Sequence, residues 1–257
     1  MLSDLGGGWP GNEDACARCQ LTDGELLVAV ADGGGGNGGG DVASRLAIDT
    51  TTRLYRAGPP GRDPGKFLTQ AVRHANIAIH DDGLATPALS GMATTLTAAI
   101  IRSDSLWAVH VGDTRLYLVR GDSIRSLTRD HHVASAPVRL RLQGAESARR
   151  NPERSPLTRP LGASLVPSVD RISSSIEPGD RIVLCTDGIH TLVADQEILG
   201  YCTGQTARMA CRSVVAAAKR RNPTDNLTVA VVAVNDVSHS APYGWRSRLS
   251  RLLDLVI

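Results

Sequence analysis

Aromatic side chains are scarce in this chain. They make up 3% of its 257 residues and include a single Phe, so the hydrophobic core must be built from Ala, Val, Leu and Ile. The scarcity argues against binding of single-stranded nucleic acid, which usually relies on aromatic side chains that stack on the bases. The formal net charge of +2 indicates no preference for polyanions, so we expect no nucleic-acid partner.

Long hydrophobic runs are also missing. No stretch approaches the roughly 20 apolar residues that a membrane helix needs. The first five residues, MLSDL, lack the basic region and apolar segment of a secretion signal. The five cysteines are an odd number, which favours free thiols in a reducing compartment. These features predict a cytoplasmic protein with no membrane span, and we expect it to be a monomer.

The most unusual stretch is an apolar run that ends at Asp32. Seven of the next eight residues, 33–40, are glycine. An apolar run bounded by glycine predicts a buried strand, and glycine lets the backbone and a ligand approach closely. Asp41 is the expected N-cap of a helix that follows at once. We interpret the stretch as a functional strand–loop–helix corner rather than as a flexible linker.

The remaining chain mixes short strand patterns with helical patterns, without strict βαβ alternation. Helices are predicted at 42–56, 66–81 and about 205–220, with a loop at 57–65. Two strands are predicted within 15–31, and further strands at 95–101, 106–112, 116–119, 123–127, 181–186 and 227–234. The closely spaced strands between 95 and 127 predict an antiparallel meander. The whole pattern predicts an α+β fold with packed antiparallel sheets.

Two segments differ from the rest in composition. Residues 128–170 are rich in Arg, Ser and Pro, and a loop of that length is usually functional or disordered. Residues 237–257 place apolar side chains at helical spacing opposite arginines, which predicts a short amphipathic helix. We expect this tail to dock on the domain, although binding to a partner or a membrane surface remains open. The predicted boundary separates a domain at 1–236 from the tail.

Acidic residues recur at the ends of the predicted strands. Asp32 and Asp187 each close an apolar strand, Asp225 precedes another, and Asp113 and the pair Glu13-Asp14 stand at further joints. A single Asp-Gly is weak evidence, because it is also a common turn dipeptide. Several such acids are stronger evidence, since clustered carboxylates repel each other and need a cation. Oxygen ligands favour Mg²⁺ or Mn²⁺, and a pair of such ions can drive attack on phosphorus.

These acids belong to a series of motifs across about residues 3–235: Asn12-Glu13-Asp14-Ala15, Val30-Ala31-Asp32-Gly33, Gly91-Met92-Ala93-Thr94-Thr95-Leu96, Val111-Gly112-Asp113-Thr114-Arg115, Leu127-Thr128-Arg129-Asp130-His131, Leu157-Thr158-Arg159-Pro160-Leu161-Gly162, Gly179 to Gly188, and Asp225-Asn226-Leu227-Thr228-Val229. In these motifs, and in their order, the chain resembles the PP2C-type (PPM family) metal-dependent protein serine/threonine phosphatases, of the compact bacterial kind. Each motif alone is modest, but the series is specific. The resemblance implies two face-to-face antiparallel sheets flanked by helices, an αββα sandwich, with a flap at about 128–165.

The resemblance also implies a metal centre with Mn²⁺ or Mg²⁺ as cofactor. Asp32 would bridge two ions, and the carbonyl of Gly33 would bind one of them. Asp187 and Asp225 would complete the shell of the other ion. Asp113, together with Asp187, would hold a weaker third ion.

The implied reaction is the hydrolysis of phosphoserine and phosphothreonine in proteins by a hydroxide that bridges the two ions. Glu13 and Asp14 would orient the metal-bound water. The leaving oxygen would take a proton from such a water or from one of three histidines, His131, His132 and His190. The implied partners are phosphorylated proteins and a bacterial Ser/Thr kinase whose action the enzyme opposes.

One departure from the family pattern concerns the substrate phosphate. Four residues before Glu13 the family usually has an arginine that grips the phosphate, whereas this chain has Trp9. Trp has no guanidinium fork to offer a phosphate; Arg18 or an arginine of the flap would have to substitute. Asn37 and Asp41 replace a usual His and Glu, but neither change removes a metal ligand.

Three functions are compatible with these residues. The first is an active phosphatase with weakened substrate affinity. The second is a pseudophosphatase that binds a phosphorylated partner as a regulatory module; Trp9 favours it, and the full set of acids disfavours it. The third is a metal-dependent hydrolase of a small phosphoester or nucleotide.

Overall fold

The computed structural model describes residues 1–8, 10–22, 24–35, 38–58, 62–131 and 160–237. The strands in these ranges are β1 Leu2–Asp4, β2 Asp14–Thr22, β3 Glu25–Gly34, β4 Ala93–Thr94, β5 Leu96–Arg102, β6 Ser105–Val111, β7 Arg115–Arg120, β8 Ser123–Ser126, β9 Asp170–Ser175, β10 Arg181–Cys185 and β11 Leu227–Ala233. The α-helices are α1 Gly40–Ala57, α2 Pro64–Ala85, α3 Asp187–His190, α4 Asp195–Cys202 and α5 Ala207–Lys219.

The strands form two antiparallel sheets. The first sheet has the order β1-β11-β10-β7-β8, and the second has the order β2-β3-β5-β6-β9, with β4 paired to the end of β3. One apolar core lies between the sheets, a second lies between the second sheet and helices α1 and α2, and a third lies between the first sheet and helices α3 to α5. The expected αββα sandwich is confirmed.

The apolar run that precedes Asp32 is β3, a strand buried on both faces. Leu27, Ala29 and Ala31 pack in the core beneath α1 and α2, whereas Val28 and Val30 pack in the core between the sheets. Alternate side chains of a strand point to opposite faces, so two covered faces require a continuous apolar run. After Val28 and Val30, the next side chain of β3 on the face between the sheets is that of Asp32.

The predicted meander between 95 and 127 is wrong at its centre. β5 and β6 form a hairpin in the second sheet, whereas β7 and β8 form a hairpin in the first sheet. The chain crosses between the sheets at Gly112. Its φ of +107° is a conformation that favours glycine, and a Cβ added there would lie 2.5 Å from Thr95 Cγ2. Asp113 follows directly, so the crossing places it near one end of the sandwich.

Two helix starts also differ from the predictions. The N-cap of α1 is Gly39, and Asp41 lies in the first helical turn, where it pairs with Arg45. Asp41 is therefore not the N-cap, although its charge suits the positive end of the helix dipole. α2 begins at Pro64, inside the predicted loop, because the Asp63 side chain caps the helix and proline suits its first position.

Several short elements had no sequence prediction. β1 lies in the glycine-rich start, and β9 begins at the last residue of the predicted surface excursion, 128–170. Both strands are too short or too polar to show a clear pattern. The predicted tail lies outside the described residues apart from Val237, which packs against the core between the sheets. None of the helices in the described ranges is both long and apolar enough to cross a membrane.

Candidate functional site

Four of the predicted acids come together at one end of the sandwich. Asp14 and Asp32 face each other directly at the ends of β2 and β3. Asp187 is the first residue of α3 and is separated from the end of β10 by one residue. Asp225 lies two residues before the start of β11. The second sheet thus supplies two carboxylates, and the segments that adjoin β10 and β11 of the first sheet supply the other two.

The pKa values of these acids show that they interact. Burial raises the pKa of Asp14 to about 7; hydrogen bonds from Thr228 and Thr186 oppose the shift, and the charges of Asp187 and Asp225 add to it. The pKa of Asp32 is raised well above its usual range by burial and by the charges of Asp187, Asp14 and Asp225. Like charges held close together disfavour ionisation, so without a cation this end of the protein is electrostatically strained.

The backbone of Asp32 is held on both sides. Its N–H donates to Thr95 Oγ1 at 2.9 Å, and its carbonyl accepts from Thr95 N and Thr94 Oγ1, each at 2.8 Å. These bonds fix the backbone from which the Asp32 side chain projects towards the other acids. The short strand β4, which supplies Thr94, also pairs with Gly33.

Gly33 lies in unusually close contact with the start of α1. A Cβ added to Gly33 would lie 1.9 Å from the carbonyl oxygen of Gly40 and 2.8 Å from that of Glu13. Real Cβ atoms do not approach a backbone so closely, so a side chain at this position would force the strand away from the helix. Close packing against the start of α1 therefore explains why the residue after Asp32 is a glycine.

Glu13 joins the acid cluster at its edge. Its backbone carbonyl accepts from Gly33 N at 3.0 Å, and its side chain packs on Gly40. Burial raises its pKa, and the charges of Asp41 and Asp225 raise it further. Glu13 is thus held between the glycine loop and Asp225.

Asn226 has a structural role that the sequence reasoning missed. This buried side chain accepts from Glu13 N at 2.8 Å and donates to the carbonyls of Leu5, at 2.8 Å, and Gly11, at 3.3 Å. It therefore fastens the N-terminal segment beside Asp225. The sequence indicates such a role only through the position of Asn226, directly after Asp225 and before a buried strand, because a buried polar side chain needs hydrogen-bond partners.

Asp113 connects to the cluster through a histidine. Its side chain is 9% exposed, and its carbonyl accepts from His190 Nε2 at 2.9 Å. His190 is the last residue of α3, the helix that begins with Asp187. Helix α3 therefore links the two acids: Asp187 is at its start, and His190 at its end bonds the carbonyl of Asp113.

The predicted histidines are engaged in structural contacts. His131 Nδ1 accepts from Gly112 N at 3.2 Å, and Nε2 donates to Asp170 Oδ2 at 3.1 Å. Burial lowers the pKa of His190, whose Nε2–H donates to a backbone carbonyl. Both rings hold backbone in place, which favours a structural role over proton donation to a leaving group. His132 lies outside the described residues.

The arginine that would grip a phosphate is not identified. Trp9 and Asn37 lie outside the described residues, and so do 132–159 of the predicted flap. Arg18 lies four residues along β2 from Asp14, a distance of roughly 13 Å at the usual rise of a strand. Its guanidinium bonds to Gln20, still further along the strand. Arg18 is therefore poorly placed as a substitute.

The donor set fits a hard divalent cation. It consists of carboxylates and backbone carbonyl oxygens, which are the ligands that Mg²⁺ and Mn²⁺ prefer. The raised pKa values of Asp14 and Asp32 record a repulsion that a cation would relieve. Within the described ranges, no group of three or more His, Cys, Asp or Glu side chains is arranged so that it could hold a metal ion as the structure stands. Backbone and water would supply remaining ligands, as is usual for Mg²⁺.

Comparison with known proteins places these features in a family context. The sequence profile of the family "Protein phosphatase 2C" matches residues 10–221. The serine/threonine protein phosphatase PstP of Mycobacterium tuberculosis is 35% identical over 217 residues, which are 84% of this chain and 42% of PstP. The serine/threonine phosphatase stp of Listeria welshimeri is 30% identical over 232 residues, which are 87% of this chain and 90% of that protein.

Solved structures give the same result. The crystal structure of the M. tuberculosis phosphatase PstP/Ppp superposes with a TM-score of 0.76 at 32% identity, covering 91% of this chain and 97% of that one. The serine/threonine phosphatase of S. agalactiae superposes with a TM-score of 0.79 at 26% identity, covering 91% and 98%. This chain spans less than half the length of full PstP, 42%.

Proposed function

The chain belongs to the protein phosphatase 2C family, and on this premise we propose that it hydrolyses phosphoserine and phosphothreonine in proteins with divalent metal ions as cofactor. The observation that carries the proposal is the convergence of Asp14, Asp32, Asp187 and Asp225 from both sheets at one end of the sandwich. The names of the relatives, serine/threonine phosphatases, support the substrate class.

We propose the metal ligands that the family resemblance implies. The carboxylates of Asp32, Asp187 and Asp225 and the carbonyl of Gly33 would hold the ions. Asp113 is proposed for a weaker third ion. When bound, Mn²⁺ or Mg²⁺ ions would neutralise charge on the phosphoryl oxygens and lower the pKa of water.

The chain's own residues would then prepare the attack on phosphorus. Glu13 and Asp14, beside the ligands, would hold and orient water through their carboxylates. The fixed backbone of Asp32 keeps the site in one geometry before substrate arrives, which avoids reorganisation during the reaction. No side-chain nucleophile is required.

The proposed partners are phosphorylated proteins and the Ser/Thr kinase that modifies them. We also propose a cytoplasmic monomer with a catalytic domain at 1–236 and a separate tail at 237–257. The binding-module alternative rests on Trp9, and the acid cluster favours turnover over binding alone.

The first prediction concerns metal dependence. Protein loaded with Mn²⁺ should release phosphate from a phosphothreonine peptide, and EDTA should reduce the rate to background, because the clustered carboxylates cannot stabilise phosphoryl charge without a cation. Rates on p-nitrophenyl phosphate and on a nucleoside monophosphate, measured in parallel, separate a protein phosphatase from a small-phosphoester hydrolase. If Mn²⁺-loaded protein cleaves neither the peptide nor p-nitrophenyl phosphate, the proposal is wrong.

The second prediction concerns Trp9. The Trp9→Arg variant should raise kcat/KM on the phosphothreonine peptide by about tenfold, mainly through a lower KM, because a guanidinium fork adds charge-assisted hydrogen bonds to the phosphate. Steady-state kinetics measure the gain. Trp9→Lys provides the control, since it adds a charge without the fork. An unchanged KM in Trp9→Arg would show that this position does not face the phosphate.

A further inference from the structure

Two buried threonines lie against the acid cluster from the opposite sheet. Thr186 follows β10, and Thr228 is the second residue of β11; both side chains are fully buried. Thr186 lies two residues after Leu184, and Thr228 lies two residues before Ala230. Leu184 and Ala230 pack between the sheets, and side chains two residues apart in an extended chain point to the same face. Both hydroxyls therefore point into the space that Asp14 enters from β2.

The hydrogen bond between Thr186 and Asp14 has a fixed direction. Thr186 Oγ1 lies 2.9 Å from Asp14 Oδ2, and it accepts from Thr228 N at 3.2 Å. Since the Thr228 N–H occupies one lone pair of the hydroxyl and a carboxylate only accepts, the hydroxyl proton is donated to Asp14.

A second series of hydrogen bonds reaches Asp14 through Thr228. Asp14 N donates to Asn12 Oδ1 at 3.0 Å, and Asn12 Nδ2 donates to Ser3 Oγ at 2.9 Å. Ser3 Oγ lies 2.7 Å from Thr228 Oγ1, and the backbone N–H of Thr228 donates to Thr186 Oγ1, which donates to Asp14. The donors thus form a ring that begins and ends at Asp14, and hydrogen bonds in such chains polarise one another.

Helix capping does not explain Thr186. It occupies the N-cap position of α3, where a Thr side chain normally accepts from the backbone of the first turn. No such side-chain bond is made at this helix. The hydroxyl is instead turned away from the helix and towards Asp14.

We infer that Thr186, backed by Thr228, is a positioning residue that fixes the Asp14 carboxylate in the rotamer in which it serves the metal centre. The inference rests on the proposed function, in which Asp14 orients water beside the metal ligands. A carboxylate that accepts from a buried, backbone-anchored hydroxyl keeps one orientation, whereas one without that bond is free to rotate.

The test replaces the hydroxyl without changing the shape of the side chain. Thr186→Val should lower kcat on the phosphothreonine peptide by about tenfold with KM unchanged, and should weaken Mn²⁺ binding in calorimetry by a similar factor, since residues that support metal centres contribute about 10- to 100-fold. Thr186→Ser, which retains the donor, should recover most of both losses. Thr51→Val, which removes a buried hydroxyl bonded to Ala47 O within α1, should match wild type.

A double-mutant cycle shows whether Thr186 acts through Asp14. In an Asp14→Asn background, the Thr186→Val change should add little further loss. Equal losses in both backgrounds, or a Thr186→Val enzyme with wild-type kcat and Mn²⁺ affinity, would overturn the inference. If Thr186→Val does not fold, Thr186→Ala removes the same hydroxyl with a smaller side chain and must show the same pattern. An inactive wild type would instead contradict the proposed function, because calorimetry reports on the threonines without turnover.

Discussion

The Asp32→Asn variant is expected to lose at least about a hundredfold in phosphatase rate and, in the absence of metal, to unfold at a higher temperature than wild type. The loss of rate follows from the proposed role of Asp32 as the ligand shared by two ions. The gain in stability follows from the same cluster, because Asn removes a charge that Asp14, Asp187 and Asp225 repel.

The sign of the stability change follows from the pKa of Asp32, which is raised well above its usual range in the folded protein. An acid with a raised folded-state pKa reduces stability once the pH exceeds its unfolded value, near about 4. The difference in melting temperature should therefore be present at pH 7 in EDTA and shrink towards pH 4.

Asp122→Asn is the matched control for this experiment. Asp122 is exposed in the turn between β7 and β8, so its amide variant should keep wild-type rate and melting temperature. A metal-free Asp32→Asn protein that is less stable than wild type would show that the acids are not mutually repulsive.

Gly33→Ala is expected to lose Mn²⁺ binding and to be destabilised by about 3 kcal/mol or more, the upper range for overpacking a close contact. The added Cβ would lie 1.9 Å from Gly40 O and 2.4 Å from Gly40 C. Both contacts are backbone, which no side-chain rotation can relieve. Either β3 or the start of α1 must move, and either movement displaces the carbonyl proposed as a ligand.

Its neighbour provides a control of the same chemistry. A Cβ on Gly34 would meet nothing within 4 Å, and Gly34 has no positive φ. Gly34→Ala should therefore retain Mn²⁺ affinity and melting temperature, measured by calorimetry and circular dichroism. Equal behaviour of the two variants would contradict the argument from close approach.

Local sequence patterns predicted what depends on neighbouring residues. The apolar run before Asp32 predicted a buried strand, because a strand covered on both faces lacks polar positions. The motif order predicted which acids converge. By contrast, the transfer of β7 and β8 to the other sheet depends on a single backbone turn at Gly112, and strand patterns carry no information about which sheet a strand joins.

Hydrophobic periodicity also could not predict the residues that support the acid cluster. Thr186, Thr228 and Asn226 act through partners that are far away in sequence: these are Asp14, Ser3 and Glu13, respectively. Their residue types suit strand ends and turns equally well, so only the three-dimensional arrangement distinguishes a supporting role from an ordinary one. Asp41 was misassigned for a related reason, since an acid at the N-cap and one in the first turn are both favourable.

The most direct test of the metal centre is a Mn²⁺ titration of the wild-type protein by calorimetry, with peptide hydrolysis measured at each metal concentration. We predict uptake of at least two ions per chain, with phosphate release rising over the same concentration range, and neither response in Asp32→Asn. Full hydrolysis of the phosphothreonine peptide in EDTA, or hydrolysis without measurable Mn²⁺ uptake, would contradict the account.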